Sequence, residues 1–324
     1  MRLPEWLTER GIGETRAVLV EDGEIVEARI ELDGTTPAGS VVTARLVNVG
    51  HDGRNAIAVA EGGSEYLLPR GAAGATQGQT ITIEITREAI PGGEPWKRPL
   101  ARVTEAAPLM LPPLAERLGG RDVPFPAPDD DLHHLGWDDV LDEARTGVVP
   151  FAGGELRISA TPAMTLVDVD GYLAPEELAV LGASEAAAAI RRLDIGGSIG
   201  IDLPTAGSKA IRHAAAAAID AELPQSFERT AVNGFGFVQI VRPRTRASLI
   251  ELGLDRPSFE ARALLRRSAM DGAGAKRIVA HPAVTSVLER HSHWLEALAR
   301  QVGGRIELRA DAALPKSGGY ATSL

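Results

Sequence analysis

No cysteine occurs in the chain, which excludes disulfides, cysteine-ligated zinc and thiol catalysis and fits a reducing compartment. Aromatics are scarce, with four Trp, three Tyr and six Phe among 324 residues, so packing must be mostly aliphatic. No run of about 20 apolar residues exists, and the start, MRLPEWLTERG, carries charges where a signal peptide needs an apolar segment. A soluble, cytoplasmic protein without membrane contact is expected. Positive charge is also in deficit, 34 Lys and Arg against 44 Asp and Glu for a net −10. That excludes a uniformly basic nucleic-acid coat, while leaving room for a local basic face. The length favours two or three domains.

What is present has a clear order along the chain. RAVLVEDGEIVEARIEL alternates apolar and polar positions about an Asp-Gly pair, a hairpin signal. Residues 41–104 hold short strand-like runs separated by glycine-rich turns, the spacing of a small barrel. Between 107 and 131 stand six prolines and the run DDD, which predicts a linker or irregular flap. A short helix, WDDVLDEARTG, and a hairpin about Gly153-Gly154 follow. From 163 to 255 strands and helices alternate, which predicts a largely parallel sheet with crossover helices. The tail predicts an appended α/β subdomain whose second helix runs through AVTSVLERHSHWLEALARQV.

Chemistry concentrates in TLVDVDG, residues 165–171. Alternate strand residues share a face, so Asp168 and Asp170 project together, and like charges that close call for a cation. The next strand, GSIGIDLP, ends in Asp202. If the two strands are parallel neighbours, all three acids share one sheet edge. Oxygen-only ligands with water completing the shell suit Mg²⁺ and a phosphodiester substrate. Two other readings stay open at this point. Each Asp could simply start a turn. Alternatively, LVDVDGYL is similar to the first motif of haloacid-dehalogenase-type phosphatases, with Asp168 as nucleophile and Asp170 as acid/base, although Tyr172 replaces the usual Thr and the chain has no Gly-Asp dipeptide for the later metal motif. An EF-hand is excluded, because Leu173 and Ala179 stand where Gly and Glu are required.

Read together, SATPAMTLVDVD, IRRLDIGGSIGIDL and VNGFGFVQIVRPR resemble the catalytic core of the ribonuclease E/G family, with Thr165, Gly196, Gly197, Asp202, Phe235 and Gly236 in register. The resemblance implies an α/β multidomain protein. Its RNase H-like/DNase I-like catalytic core would carry an inserted S1-like OB-fold β-barrel and a small C-terminal α/β subdomain. The implied units are an N-terminal β-unit of the RNase H-like subdomain (1–37), the OB-fold (38–106), a Pro-rich segment with the rest of the RNase H-like subdomain (107–160), the DNase I-like subdomain (161–255) and the C-terminal subdomain (256–324). It further implies a Mg²⁺-dependent endoribonuclease that cuts single-stranded RNA in processing or decay and leaves 5′-phosphate ends. Asp168 and Asp202 would be the metal ligands. Asp170 stands where the family has Asn, and the added charge beside the metal would repel an approaching phosphate. The zinc-link cysteines are absent, so a homodimer could not form through zinc. The stretch that holds the family's 5′ sensor is much shortened, and Asn233-Gly234 removes a basic group before Phe235.

Local charge fits RNA despite the global acidity, with eight Lys or Arg against five acids between 188 and 246. Lys209 and Arg212 lie one turn apart at a helix start, and Arg242, Arg244 and Arg246 alternate in RPRTR. By the resemblance, Tyr66 stacks a base and Lys97 contacts the strand, whereas Ile57 replaces a second stacking Phe. An RNA-binding protein whose cleavage has decayed is the alternative from a different class. His133-His134 and His291-x-His293 are expected at the surface without a role.

Overall fold

The computed structural model describes residues 3–51, 53–72, 74–91, 98–127, 129–205 and 207–324. It is a mixed α/β structure with three open sheets and one closed five-stranded barrel. Strands β1 (Glu5–Arg10), β2 (Glu14–Glu21) and β3 (Glu24–Leu32) form an antiparallel meander. Asp22 and Gly23 both take positive φ at the β2–β3 turn, the geometry of a type I′ hairpin and the reason for the Asp-Gly pair.

The barrel follows, from β4 (Val41–Asn48), β5 (Ala56–Ala60), β6 (Glu65–Leu68), β7 (Thr80–Arg87) and β8 (Leu100–Val103). These close in the order β4-β5-β6-β8-β7, consistent with an inserted OB-like barrel. Leu46, Leu68, Ile83 and Ile85 fill a core of its own. The chain enters and leaves side by side, since Val41 and Leu109 exchange backbone hydrogen bonds of 2.8 and 2.9 Å.

The described residues of 107–131 are more ordered than the prolines suggest. They form helix α1 (Leu114–Leu118) and strand β9 (Arg121–Asp122), which pairs parallel with β1 and completes the order β3-β2-β1-β9. Pro113 sits at the N-cap of α1 rather than inside it, where proline costs no hydrogen bond. Leu114, Ala115 and Val123 are buried.

Helices α2 (Asp131–His134) and α3 (Trp137–Thr146) lead into the hairpin β10 (Val148–Phe151) and β11 (Gly154–Ala160). Then come β12 (Thr165–Gly171), α4 (Pro175–Arg192), β13 (Gly197–Asp202), α5 (Lys209–Glu222), β14 (Glu228–Arg229) and β15 (Phe237–Arg242). The sheet order is β10-β11-β12-β13-β15-β14. The expected parallel sheet is corrected here: only β12 and β13 run parallel, and the other pairs are antiparallel. The chain leaves α5 through β14 and turns back directly into β15, so no crossover helix precedes that strand. One face of this sheet, with Val167, Val169, Ile199, Ile201, Val238 and Ile240, is buried in the largest core. Leu7, Val18 and Ile30 of the N-terminal sheet lie in the same core.

Helix α6 (Leu249–Leu254) starts with a capping box between Ser248 and Glu251. After α7 (Arg256–Met270), strand β16 (Lys276–Ala280), helices α8 (Pro282–Arg290) and α9 (Ser292–Val302), and strands β17 (Ile306–Ala310) and β18 (Tyr320–Ser323) form the C-terminal part, with sheet order β17-β16-β18. The single helix expected over 283–302 is two helices. They break at His291, whose ring stacks on Trp294 at 4.2 Å. Buried ion pairs tie α7 to the N-terminal sheet, Arg262 to Glu14 at 2.7 Å and Arg266 to Glu9 at 2.9 Å, and Arg266 also grips Asp130, the N-cap of α2, at 2.6 Å. Among the described residues no helix is long and apolar enough to cross a membrane.

Candidate functional site

Asp168 and Asp202 are direct cross-strand partners in the one parallel pair of the central sheet. Partners in register project to the same side, here the side opposite the helices, where both carboxylates are exposed. The placement follows from alternation: Val167, Val169 and Ile201 point into the core, which sends Asp168, Asp170 and Asp202 outward. Helix α4 fixes β12 from behind. It approaches so closely that a Cβ at Gly182 would lie 2.3 Å from Cγ1 of Val169.

The antiparallel neighbour supplies further charge. Arg157 pairs with Asp168 and Glu155 with Asp170 across β11 and β12, and Arg157 donates to Glu155 at 2.5 Å. Partial burial pushes the Asp168 carboxyl above the usual carboxylate range, Asp170 and Asp202 push it further, and Arg157 opposes them. At Asp168 like charge therefore outweighs the opposite charge of Arg157.

On the far side of Asp202 stands Phe237, its partner on β15. The Phe237 ring lies over Gly200, where a Cβ would come 2.6 Å from the ring. Phe235 and Tyr172 are 81% and 84% exposed at the same edge. Asn233 accepts hydrogen bonds from the backbone N–H groups of Phe235 and Phe237 at 2.9 and 3.1 Å, so this residue holds the turn that presents Phe235.

Asp170 does not join Asp168 and Asp202 in one cage. It lies one strand repeat beyond them, about 6–7 Å along β12, where β13 has already ended. Among the described residues no group of three or more histidine or carboxylate side chains is arranged to hold a metal ion. What remains is a pair of carboxylates on an open face. Oxygen donors, surplus negative charge and room for several waters fit Mg²⁺, which dehydrates reluctantly and is commonly held by one or two carboxylates.

No family model and no curated protein matches this chain.

The remaining expected contacts are dispersed. Lys209 and Arg212 line a groove of about 510 Å³ with His213, Asp220, Arg229 and Val232, beside the start of α5. Arg229 is held by Asp220 at 2.7 Å. Arg242 and Arg244 lie at the other end of β15. Arg242 pairs with Gly197, five residues from Asp202 and so about 17 Å away along the strand. Arg242 donates to the carbonyls of Ile190 and Ile195 at 3.3 and 2.9 Å, Arg244 pairs with Glu251 and Arg246 with Asp194. A single arginine track leading to the acids is thus not formed. Tyr66 is 3% exposed within the barrel core and donates to Thr36 at 3.1 Å, which leaves no ring face for a base. That expectation is corrected: Tyr66 shares its strand face with buried Leu68. Lys97 lies outside the described residues. Arg157 and Phe237, beside the acids, are the residues that sequence reasoning missed.

Proposed function

We propose that this protein is a Mg²⁺-dependent endoribonuclease of the ribonuclease E/G type that hydrolyses phosphodiester bonds of single-stranded RNA and leaves 5′-phosphate ends. The observation that carries this reading is the in-register pair Asp168 and Asp202 on an open sheet face, with exposed aromatic rings and Arg157 around it. In this reading the finer architecture is an RNase H-like/DNase I-like core with an S1-like barrel, and the site is cytoplasmic.

Asp168 and Asp202 would hold the ion. A bound Mg²⁺ supplies Lewis-acid stabilisation of the phosphodiester and a nucleophile at neutral pH. Arg157, next to Asp168, can leave Glu155 to meet a non-bridging phosphate oxygen. Phe237, held flat by Gly200, and Phe235 offer faces on which unpaired bases stack, a mode open to single strands and closed to a duplex. Lys209 and Arg212 favour the strand's phosphates as it leaves. Asp170 raises the negative charge near the acids and works against phosphate approach.

A second reading, an RNA-binding protein without cleavage, draws on that extra charge and on the lack, among the described residues, of a three-ligand cluster. Incubation of end-labelled single-stranded RNA with the parent protein, with Mg²⁺ or with EDTA, and with Asp202→Asn separates the two. The nuclease reading expects Mg²⁺-dependent cuts bearing 5′-phosphate, lost in EDTA. In Asp202→Asn the rate should fall by more than the ~10–100-fold typical of substitutions one shell further from a metal. Tight RNA binding with no Mg²⁺-dependent product would leave the second reading in its place. Turnover of a generic phosphomonoester, abolished in Asp168→Asn, would instead favour a phosphatase.

A further inference from the structure

At the end of the central sheet away from the acids, four arginines surround one hollow. Arg29 of β3, Arg242 at the end of β15, and Arg244 and Arg246 of the following loop line a cavity of about 170 Å³, with Ser226 and Thr245 at its wall. Three of the four have carboxylate partners: Arg29 with Glu27 at 2.8 Å, Arg244 with Glu251, and Arg246 with Asp194, which also lines the hollow. Arg242 has no ion-pair partner among the described residues and bonds only to two backbone carbonyls.

The arrangement is costly for a purely structural network. The Nε donors of Arg29 and Arg244 are buried without hydrogen-bond partners, and a buried unsatisfied donor typically costs about 1–3 kcal/mol. A fifth guanidinium, Arg87, also has an unpartnered buried Nε. Burial first and then the charge of Arg244 depress its pKa. Burial likewise depresses Arg242, with Arg29 and Arg191 adding to the effect and Asp194 and Glu27 opposing it. Four guanidinium groups line the hollow against one lining carboxylate, that of Asp194. Guanidinium groups take phosphate oxygens in paired hydrogen bonds better than any other side chain, and the polar wall at Ser226 and Thr245 adds hydroxyl donors.

We propose that this hollow is a binding site for a tetrahedral oxyanion of the phosphate class, separate from the carboxylate edge and independent of the nuclease reading. A phosphate presents oxygens in several directions, which suits guanidinium groups that reach the hollow from two strands and a loop. Free phosphate and a phosphate of a nucleic-acid strand both carry this chemistry. The site is open at the surface, since Ser226 and Thr245 are exposed.

Exposure at Thr245 provides the test. In Thr245→Glu a tethered carboxylate enters the hollow and competes with the anion without disturbing a buried side chain. Parent and variant are compared by thermal melting over a titration of sodium phosphate at fixed ionic strength, and by binding of short single-stranded RNA with and without phosphate. The parent's melting midpoint should rise saturably with phosphate and the variant's should not, a loss of about tenfold or more in apparent affinity. RNA that displaces phosphate identifies a strand phosphate as the source, and RNA that leaves it bound identifies the free ion. Equal responses of parent and Thr245→Glu to both ligands would overturn the site. A phosphate response lost in Lys209→Gln but kept in Thr245→Glu would also overturn it, by assigning the ion to the groove on α5. Should Thr245→Glu fail to fold, Ser226→Glu, on another segment of the wall, makes the same comparison.

Discussion

At the scale of single residues, the open edge of the central sheet is a place where charge is held at a cost. Asp168 sits in register with Asp202 and one repeat from Asp170, and its carboxyl is pushed up by burial and by both neighbours. Without a cation, removing that charge should relieve the chain. Asp168→Asn is expected to be more stable than the parent in EDTA at pH 7, by the ~0.2–1 kcal/mol typical of exposed charge pairs. Mg²⁺ should raise the parent's melting midpoint and leave the variant's unchanged, which scanning calorimetry in EDTA and in Mg²⁺ measures. These acids were legible in the sequence because a period-two pattern fixes which residues leave the core, and because Gly-Gly followed by an apolar run and Asp locates the partner strand. Arg157 and Phe237 were not, since both reach the site through antiparallel pairing whose register no local pattern states. Tyr66 shows the opposite error: resemblance assigned it to the surface, while it shares a strand face with buried Leu68.

At the scale of elements, position depends on how closely α4 lies against β12. Gly182 lies within α4, where Ala would ordinarily favour the helix by about 0.8–1.0 kcal/mol. A Cβ there meets the branched Val169 at 2.3 Å, and this side chain has no free rotation with which to yield. Gly182→Ala is therefore expected to destabilise by ~1–3 kcal/mol, the range for overpacked cores, against the sign that helix preference alone gives. Urea unfolding of the two proteins decides between these signs. The same scale shows where alternation of helices and strands misleads. Such a pattern implies parallel strands only when each helix crosses over between neighbours. The short strand β14 breaks that rule, turning β15 antiparallel and bringing Phe237, rather than a residue from the far end of β15, beside Asp202. Pro-rich composition misled in a similar way, because Pro113 precedes α1 and Pro124 follows β9 and neither interrupts an element.

At the scale of the whole molecule, buried ion pairs join distant parts of the chain, with Arg266 gripping both Glu9 and Asp130. Burial raises the Asp130 carboxyl, but hydrogen bonds and charge from Arg266 more than offset it and the net shift is downward. A carboxyl lowered in the folded state stabilises above its unfolded value of about 3.9 and loses that contribution as pH falls through the lowered value. Asp130→Asn should cost ~1.5–3 kcal/mol at pH 7, the range for hydrogen bonds to charged groups. The gap from the parent should close as pH falls below about 4, which chemical denaturation at pH 7 and pH 3 reads out. The barrel stands apart from this network, with its own core and adjacent points of entry and exit. That separation sets an order of events during synthesis. A chain emerging N-terminus first has all of the barrel's core strands once residue 103 is out, whereas β1 to β3, made earlier, still lack β9, the core residues from Leu132 to Phe259 and the anchoring arginines of α7. The N-terminal sheet, made before the barrel, is thus finished after it, and the closed barrel spares the nascent chain one set of open strand edges while that sheet waits.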